Sequence, residues 1–167
     1  DGAQFVALPN IARAMRQKLS PSTLRLIDTD TLQRLGGAAE MEVDAVFGIK
    51  PESASGFIPL VEQPLVMICS RHHFDRAAGT RPESLGHVAV RVAPASEPSE
   101  TSAQLYEQAG VSRRVATIAS NFVAACVIVA ATDLVTTVPV SVYDAMKASL
   151  GLRKLPLPLP SSTVVMG

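Results

Sequence analysis

Apolar residues along this chain switch repeatedly between two spacings, and the switching constrains the fold more than any single residue does. Phe5, Leu8, Ile11, Met15 and Leu19 recur every three or four positions, which places them on one face of a helix. Residues 65–70 (L-V-M-I-C-S) form a short apolar run without alternation, the pattern of a strand covered on both faces in the middle of a sheet. Helical and strand segments taken in turn predict βαβ units around mainly parallel sheets.

The punctuation between segments sets their limits. Pro9 fits the first helix only in its first turn, where a missing N–H has no partner to lose, and Ser20-Pro21 ends that helix. Leu24, Leu26 and Ile27 predict a short strand, followed by a second helix weakened by Gly36 and Gly37. Residues 43–48 predict a strand ending in a glycine turn, with a polar loop over 50–56. Beyond the central strand, a charged loop over 71–82 leads to a strand at 87–92, a Pro/Ser/Glu loop at 93–100 and a helix at 102–109 closed by Gly110. A strand at 115–119 precedes residues 122–131, a helix apolar all round and therefore predicted to be buried. A strand at 134–138 ends at Pro139, and Ser141 opens a helix closed by Gly151. The L-P-L-P-L-P tail at 155–160 predicts an extended connector, since each proline lacks a donor, and 163–166 a last strand.

Composition excludes several classes of function. Fifteen Lys and Arg balance fifteen Asp and Glu, so this segment carries no excess positive charge with which to neutralise a run of phosphates. Hydrophobic residues make up 47% of the chain, which excludes disorder and supplies a sizeable core. The longest uncharged apolar run, 122–131, falls far short of the roughly 18 to 20 residues that cross a bilayer. The expectation is a soluble chain with no membrane partner. Cys69 and Cys126 are far apart in apolar stretches and fit two buried thiols in a reducing cytoplasm better than a disulfide or zinc set.

Chemistry-bearing clusters are sparse. His72 and His73 adjoin Asp75, but neighbouring side chains diverge and His87 is the sole other histidine, so a solvated polar loop is expected and no metal site. Glu40, Glu42 and Asp44 alternate as on one face of a strand, an exposed edge rather than an acid–base pair. No serine sits in a G-x-S-x-G elbow, and Gly36-Gly37 has neither the spacing nor the lysine of a phosphate loop. The expectation is therefore no catalytic residue, no enzyme and no cofactor.

The order of local motifs resembles a known family. Leu8-Pro9 opens a helix of basic and apolar residues; residues 41–48 (M-E-V-D-A-V-F-G) are similar to the family's G-E-L-D-L-A-I-G. Residues 64–70 followed by His72-His73 are similar as well, and residues 131–139 (A-T-D-L-V-T-T-V-P) match the stretch where relatives have G-x-G-I-x-x-L-P. Taken in order over nearly the whole chain, these motifs resemble the effector-binding domain of LysR-type transcriptional regulators. Phe74 departs from the pattern, since relatives carry proline after the histidine.

The resemblance implies an α/β, bilobal fold like a type 2 periplasmic binding protein: two mainly parallel sheets joined by crossing strands near residues 64 and 162, with an effector held between the lobes. The first lobe would comprise residues 1–64 plus 162–167 and the second 65–161. Relatives have a strand before the position of Asp1 and a helix after that of Gly167, so the first lobe is expected to be truncated at both ends, the chain being a piece of a longer one. The partners implied are a small-molecule effector and further copies of the chain, as a homodimer or tetramer, with part of the 5–19 stripe serving either as core or as interface. DNA would be bound only through an N-terminal helix-turn-helix domain absent from this sequence, and the location would be cytoplasmic.

In open α/β sheets, ligands bind outside the carboxyl ends of strands, where helix N-termini offer free N–H groups to anions. Segments that qualify by this rule, and that the resemblance turns toward the effector, contain Gly2 and Ala3; Thr29, Asp30 and Thr31; Ser96, Ser99 and Thr101; and Ser120, Asn121 and Phe122. The competing reading is that these residues are ordinary helix caps, worth about 1 kcal/mol each. An anionic inducer such as an aromatic carboxylate suits such a set. The same architecture would also serve a solute-binding protein of a transporter or, less readily, a dehydratase-like enzyme.

Overall fold

The computed structural model describes residues 8–27, 44–45, 58–59, 61–91, 101–156 and 163–166. The second helix, the strand at 43–48 apart from Asp44 and Ala45, and the site residues Gly2, Ala3, Thr29, Asp30, Thr31, Ser96 and Ser99 lie outside the described residues. In chain order the elements are α1 (Leu8–Lys18), β1 (Val61–Ser70), α2 (Phe74–Ala78), a single 3-10 turn (Pro82–Ser84), β2 (Gly86–Val90), α3 (Thr101–Gln108), β3 (Arg114–Ala119), α4 (Phe122–Ala131), β4 (Val135–Pro139), α5 (Val140–Leu150), β5 (Leu152–Leu155) and β6 (Thr163–Met166).

Five strands lie in the order β3-β2-β4-β1-β5, and β6 joins β1 outside that order. β2 runs parallel to β3 and β4, whereas β1 is antiparallel to β4, β5 and β6. The sheet is thus mixed but mainly parallel in direction: β2, β3, β4 and β5 run the same way, and β1 alone enters against them. The expected central position of the 65–70 run is observed: Met67 and Ile68 face partners on β4 and also on β5. β1 is longer than its apolar run, and its partners change along its length. Residues 61–64 pair with β6, and from Leu65 onward the strand pairs with β4 and then β5.

Alternation along β1 divides the core between two faces. Ile68 joins Val88, Val138, Ala125, Cys126, Val129 and Val142, so α4 and α5 cover one face. Met67 and Cys69 join Val135, Leu85, Leu155 and Ala77 under α2 on the other. Removing each valine, leucine, isoleucine or methionine side chain of these clusters from water is worth about 1.5–3 kcal/mol before ordering entropy is counted.

Several expectations are corrected. α4 occupies the predicted residues but is not buried all round: Ala125, Cys126 and Val129 face the sheet, while Val123 and Val127 are exposed, because a single helix against a sheet can bury only one stripe. The stripe of α1 is likewise no closed core, for Leu8, Ile11 and Met15 are half-buried and Leu19 is exposed. The strand predicted at Leu24, Leu26 and Ile27 is irregular, since it has no ladder partner among the described residues. Residues 71–82 contain α2 rather than only loop, and Leu155 ends β5 rather than beginning a connector. His73 is buried, not solvated.

α5 ends where Gly151 adopts φ 61°, ψ 40°, a left-handed conformation in which its N–H donates to the Lys147 carbonyl. A methyl group there would meet Arg71 Nε at 3.3 Å. Gly151→Ala is expected to destabilise the fold by about 1–2 kcal/mol, read as a lower urea midpoint with an unchanged slope. An unchanged midpoint would mean that the turn into β5 does not need this conformation.

Candidate functional site

Because β3, β2 and β4 are parallel, their carboxyl ends lie along one edge of the sheet. The Arg91 N–H donates to the Ala119 carbonyl at 2.9 Å and joins the ends of β2 and β3. From this edge the chain leads on to the N-termini of α3, α4 and α5, which follow β2, β3 and β4 in turn. β1 arrives at the same edge from the opposite direction: Leu65 stands opposite Pro139, the last residue of β4, and residues 61–64 project past it to meet β6. Three helix starts and the projecting part of β1 therefore share one side of the sheet, where partial positive charge and free N–H groups favour an anion.

The best-defined of these starts is at α4. Asn121 has extended backbone (φ −156°, ψ 166°), and its Oδ1 accepts the Ala124 N–H at 2.8 Å, closing the cap. Asn121 Nδ2 in turn donates to Ser120 Oγ at 3.4 Å, and Ser120 is exposed. The carboxamide of Asn121 thus has a structural task whatever else it does. Phe122 packs against the α4–α5 core cluster. Thr101 is the first residue of α3. Of the predicted site residues, the described ones stand at the starts of α3 and α4, both on the carboxyl edge.

Sequence reasoning found the third start, at Ser141, but did not count it among the site segments. Gln63, buried on the projecting part of β1, accepts the Ser141 N–H on its Oε1 at 3.2 Å, across the change of partners in β1. Ser141 Oγ is itself buried and has no partner. A polar residue inside an apolar strand and a serine just after the proline that ends β4 were the available signals, but neither has a periodicity that separates a site from an ordinary cap.

Other reactive groups are accounted for. Among the described residues, no three His, Cys, Asp or Glu side chains gather as a metal-ligand set. Cys69 and Cys126 are both free and buried. Burial pushes both thiols up to about 11, the Arg153 charge opposing this at Cys69. Neither has the thiolate character that redox sensing requires. His87 is buried, and its Nε2 lies 2.9 Å from the Pro82 carbonyl, to which it donates. No helix of the described residues is long and apolar enough to cross a membrane.

The family model described as the LysR substrate binding domain matches residues 2–166. The chain belongs to this family. No curated protein matches. Among solved structures it is similar to the probable transcriptional regulator PA0477 from Pseudomonas aeruginosa, with a TM-score of 0.80 at 22% identity over 99% of this chain and 58% of that one. It is also similar to the regulatory domain of CcmR from Synechocystis PCC6803 in complex with 2-PG (TM-score 0.75, 14% identity, 99% of this chain and 81% of that one). The effector-binding domain of QuiR in complex with shikimate gives a TM-score of 0.74 at 11% identity, covering 99% of this chain and 80% of that one. The chain spans 58% of the length of PA0477. At these identities the likeness establishes the LysR substrate-binding fold, of the type 2 periplasmic-binding-protein kind, as the sequence resemblance implied.

Within this LysR-family fold the Asn121 cap can be tested apart from any ligand. Asn121→Ala is expected to lower unfolding stability by about 1 kcal/mol, measured by urea denaturation in ligand-free buffer. A variant as stable as the parent would show that the carboxamide does not hold the first turn of α4.

Proposed function

We propose that this chain is the effector-sensing domain of a LysR-family transcriptional regulator, and that it takes a small anionic inducer, of which an aromatic carboxylate is one fitting class, between a first lobe of residues 1–64 plus 162–167 and a second of residues 65–161. The observation that carries the reading is the partner change in β1 at Pro64 and Leu65, on the edge where α3, α4 and α5 begin. A strand shared in this way would make one side of a crevice, and the helix starts would supply N–H groups and the hydroxyls of Ser120 and Ser141 to it. Gly2, Ala3, Thr29, Asp30 and Thr31 would complete the site from the first lobe, and Ser96 and Ser99 from the loop before α3. QuiR, with shikimate, offers a carboxylate precedent within this fold.

Inducer binding that favours one lobe arrangement over another shifts the equilibrium between regulator states, and a coupling of about 1 to 3 kcal/mol suffices. The signal would pass through self-association, as a homodimer or tetramer, to an N-terminal helix-turn-helix that binds DNA in the cytoplasm. Exposed apolar side chains support the self-association: the stripe of α1, Val115 and Ile118 (54% exposed) on the edge strand β3, and Val123 and Val127 (50% exposed) on the outer side of α4. Regulation, not catalysis, is the activity proposed.

Titration calorimetry of the purified protein with shikimate and benzoate tests the reading. At least one is expected to bind saturably, and Asn121→Asp, which keeps the cap but adds a negative charge, is expected to weaken that binding by roughly tenfold or more. Saturable binding to neither carboxylate, or binding indifferent to the added charge, would contradict an anion site at this edge.

A further inference from the structure

α3 is eight residues long, too short to hold its shape unaided. Gln104, Glu107 and Gln108 are exposed, Ser102, Ala103 and Leu105 are half-buried, and the fully buried side chain is Tyr106, 1% exposed. Its hydroxyl reaches the middle of the sheet, 2.8 Å from Thr137 Oγ1 on β4 and 3.8 Å from Met67 Sδ on β1. Thr137 and Met67 are register partners across the β1–β4 ladder. If Thr137 donates to Tyr106 and Tyr106 donates to Met67, both hydroxyl protons are used. The edge of the Tyr106 ring meets His87 at 5.8 Å between centroids and 80° between planes. On its face lies the Arg113 guanidinium, 4.4 Å from the centroid. Arg113 Nη1 also donates to Ser102 Oγ at 3.4 Å, so the residue resting on the Tyr106 ring is tied to the first turn of α3.

A phenylalanine would fill the same space and bury more apolar area. A directional hydroxyl–hydroxyl bond inside the core instead fixes how deeply the helix sits, since a buried polar pair is favourable only in its own geometry. We propose that Tyr106 is a positioning residue of the effector site: seated on Thr137, it sets the height of α3 above the sheet and, through Arg113, the placement of the first turn at Ser102. Thr101, Ser99 and Ser96 immediately precede that turn in sequence. The inference rests on the reading of this edge as the effector site and names a residue that acts on the site without touching the ligand.

The test is a double-mutant cycle in the full-length protein, with shikimate and benzoate as the titrants, run in the cold where every variant is folded by circular dichroism. Tyr106→Phe and Thr137→Val are each expected to weaken binding by about five- to tenfold, and the two together by no more than either alone. Thr137→Ser, which keeps the hydroxyl, is expected to bind as the parent does. Variants that lose thermal stability but bind with unchanged affinity, or losses that simply add in the double variant, would overturn the proposal while leaving the effector site in place. Absence of binding by the parent itself would overturn the effector reading and this proposal together.

Discussion

The ladder that β1 makes with β4 on one side and β5 on the other is the interaction on which the rest of the structure depends. Backbone polar groups in the middle of a protein must be paired, and at Met67 and Ile68 pairing on both sides satisfies them. Both faces are then free to carry apolar side chains. Ile68 does so toward α4 and α5, and Met67 and Cys69 toward α2, which is why a strand of this composition anchors two hydrophobic clusters at once. Without the second partner strand, the amides of this run would be buried unpaired at a cost of about 1–3 kcal/mol each.

The same strand also forms the edge at which the effector site is proposed. Where β1 passes the end of β4 it loses that partner and takes up β6, and Pro64, which has no N–H to give, stands at the change. Chain direction does the remainder. β1 is antiparallel to the parallel set, so its projecting end emerges where those strands finish and where α3, α4 and α5 start. The site proposed at this edge would combine helix N-termini with a strand able to belong to two sheets, as a sensor of small anions would need for binding to alter the relation between lobes.

Much of this was legible in the sequence, for physical reasons that differ by element. α4 could be delimited because an uncharged run between Asn121 and Asp133 leaves no other boundary, and the end of α5 because Gly151 is the one residue there that takes positive φ readily. Partner directions could not be read, because an unbroken apolar run is the same in a parallel and an antiparallel setting, so the mixed character of the sheet emerged only from pairing. β5 was hidden in a leucine- and proline-rich tail where periodicity is short and ambiguous. The exposed side of α4 escaped for a related reason: a helix apolar on every face carries no record of which face meets the sheet. At the proposed site, Asn121 was legible as a helix cap, whereas the contacts of Gln63 and of the Tyr106–Thr137 pair join residues distant in sequence.

Native-state hydrogen exchange along β1 tests the central claim most directly. If the strand holds the two clusters together, the amides of Met67, Ile68, Cys69 and Ser70 exchange only when the whole domain unfolds, with an opening free energy equal to that from denaturant titration and the same denaturant dependence. Exchange of these amides through a smaller, local opening, with α4 and α5 still protected, would contradict the account.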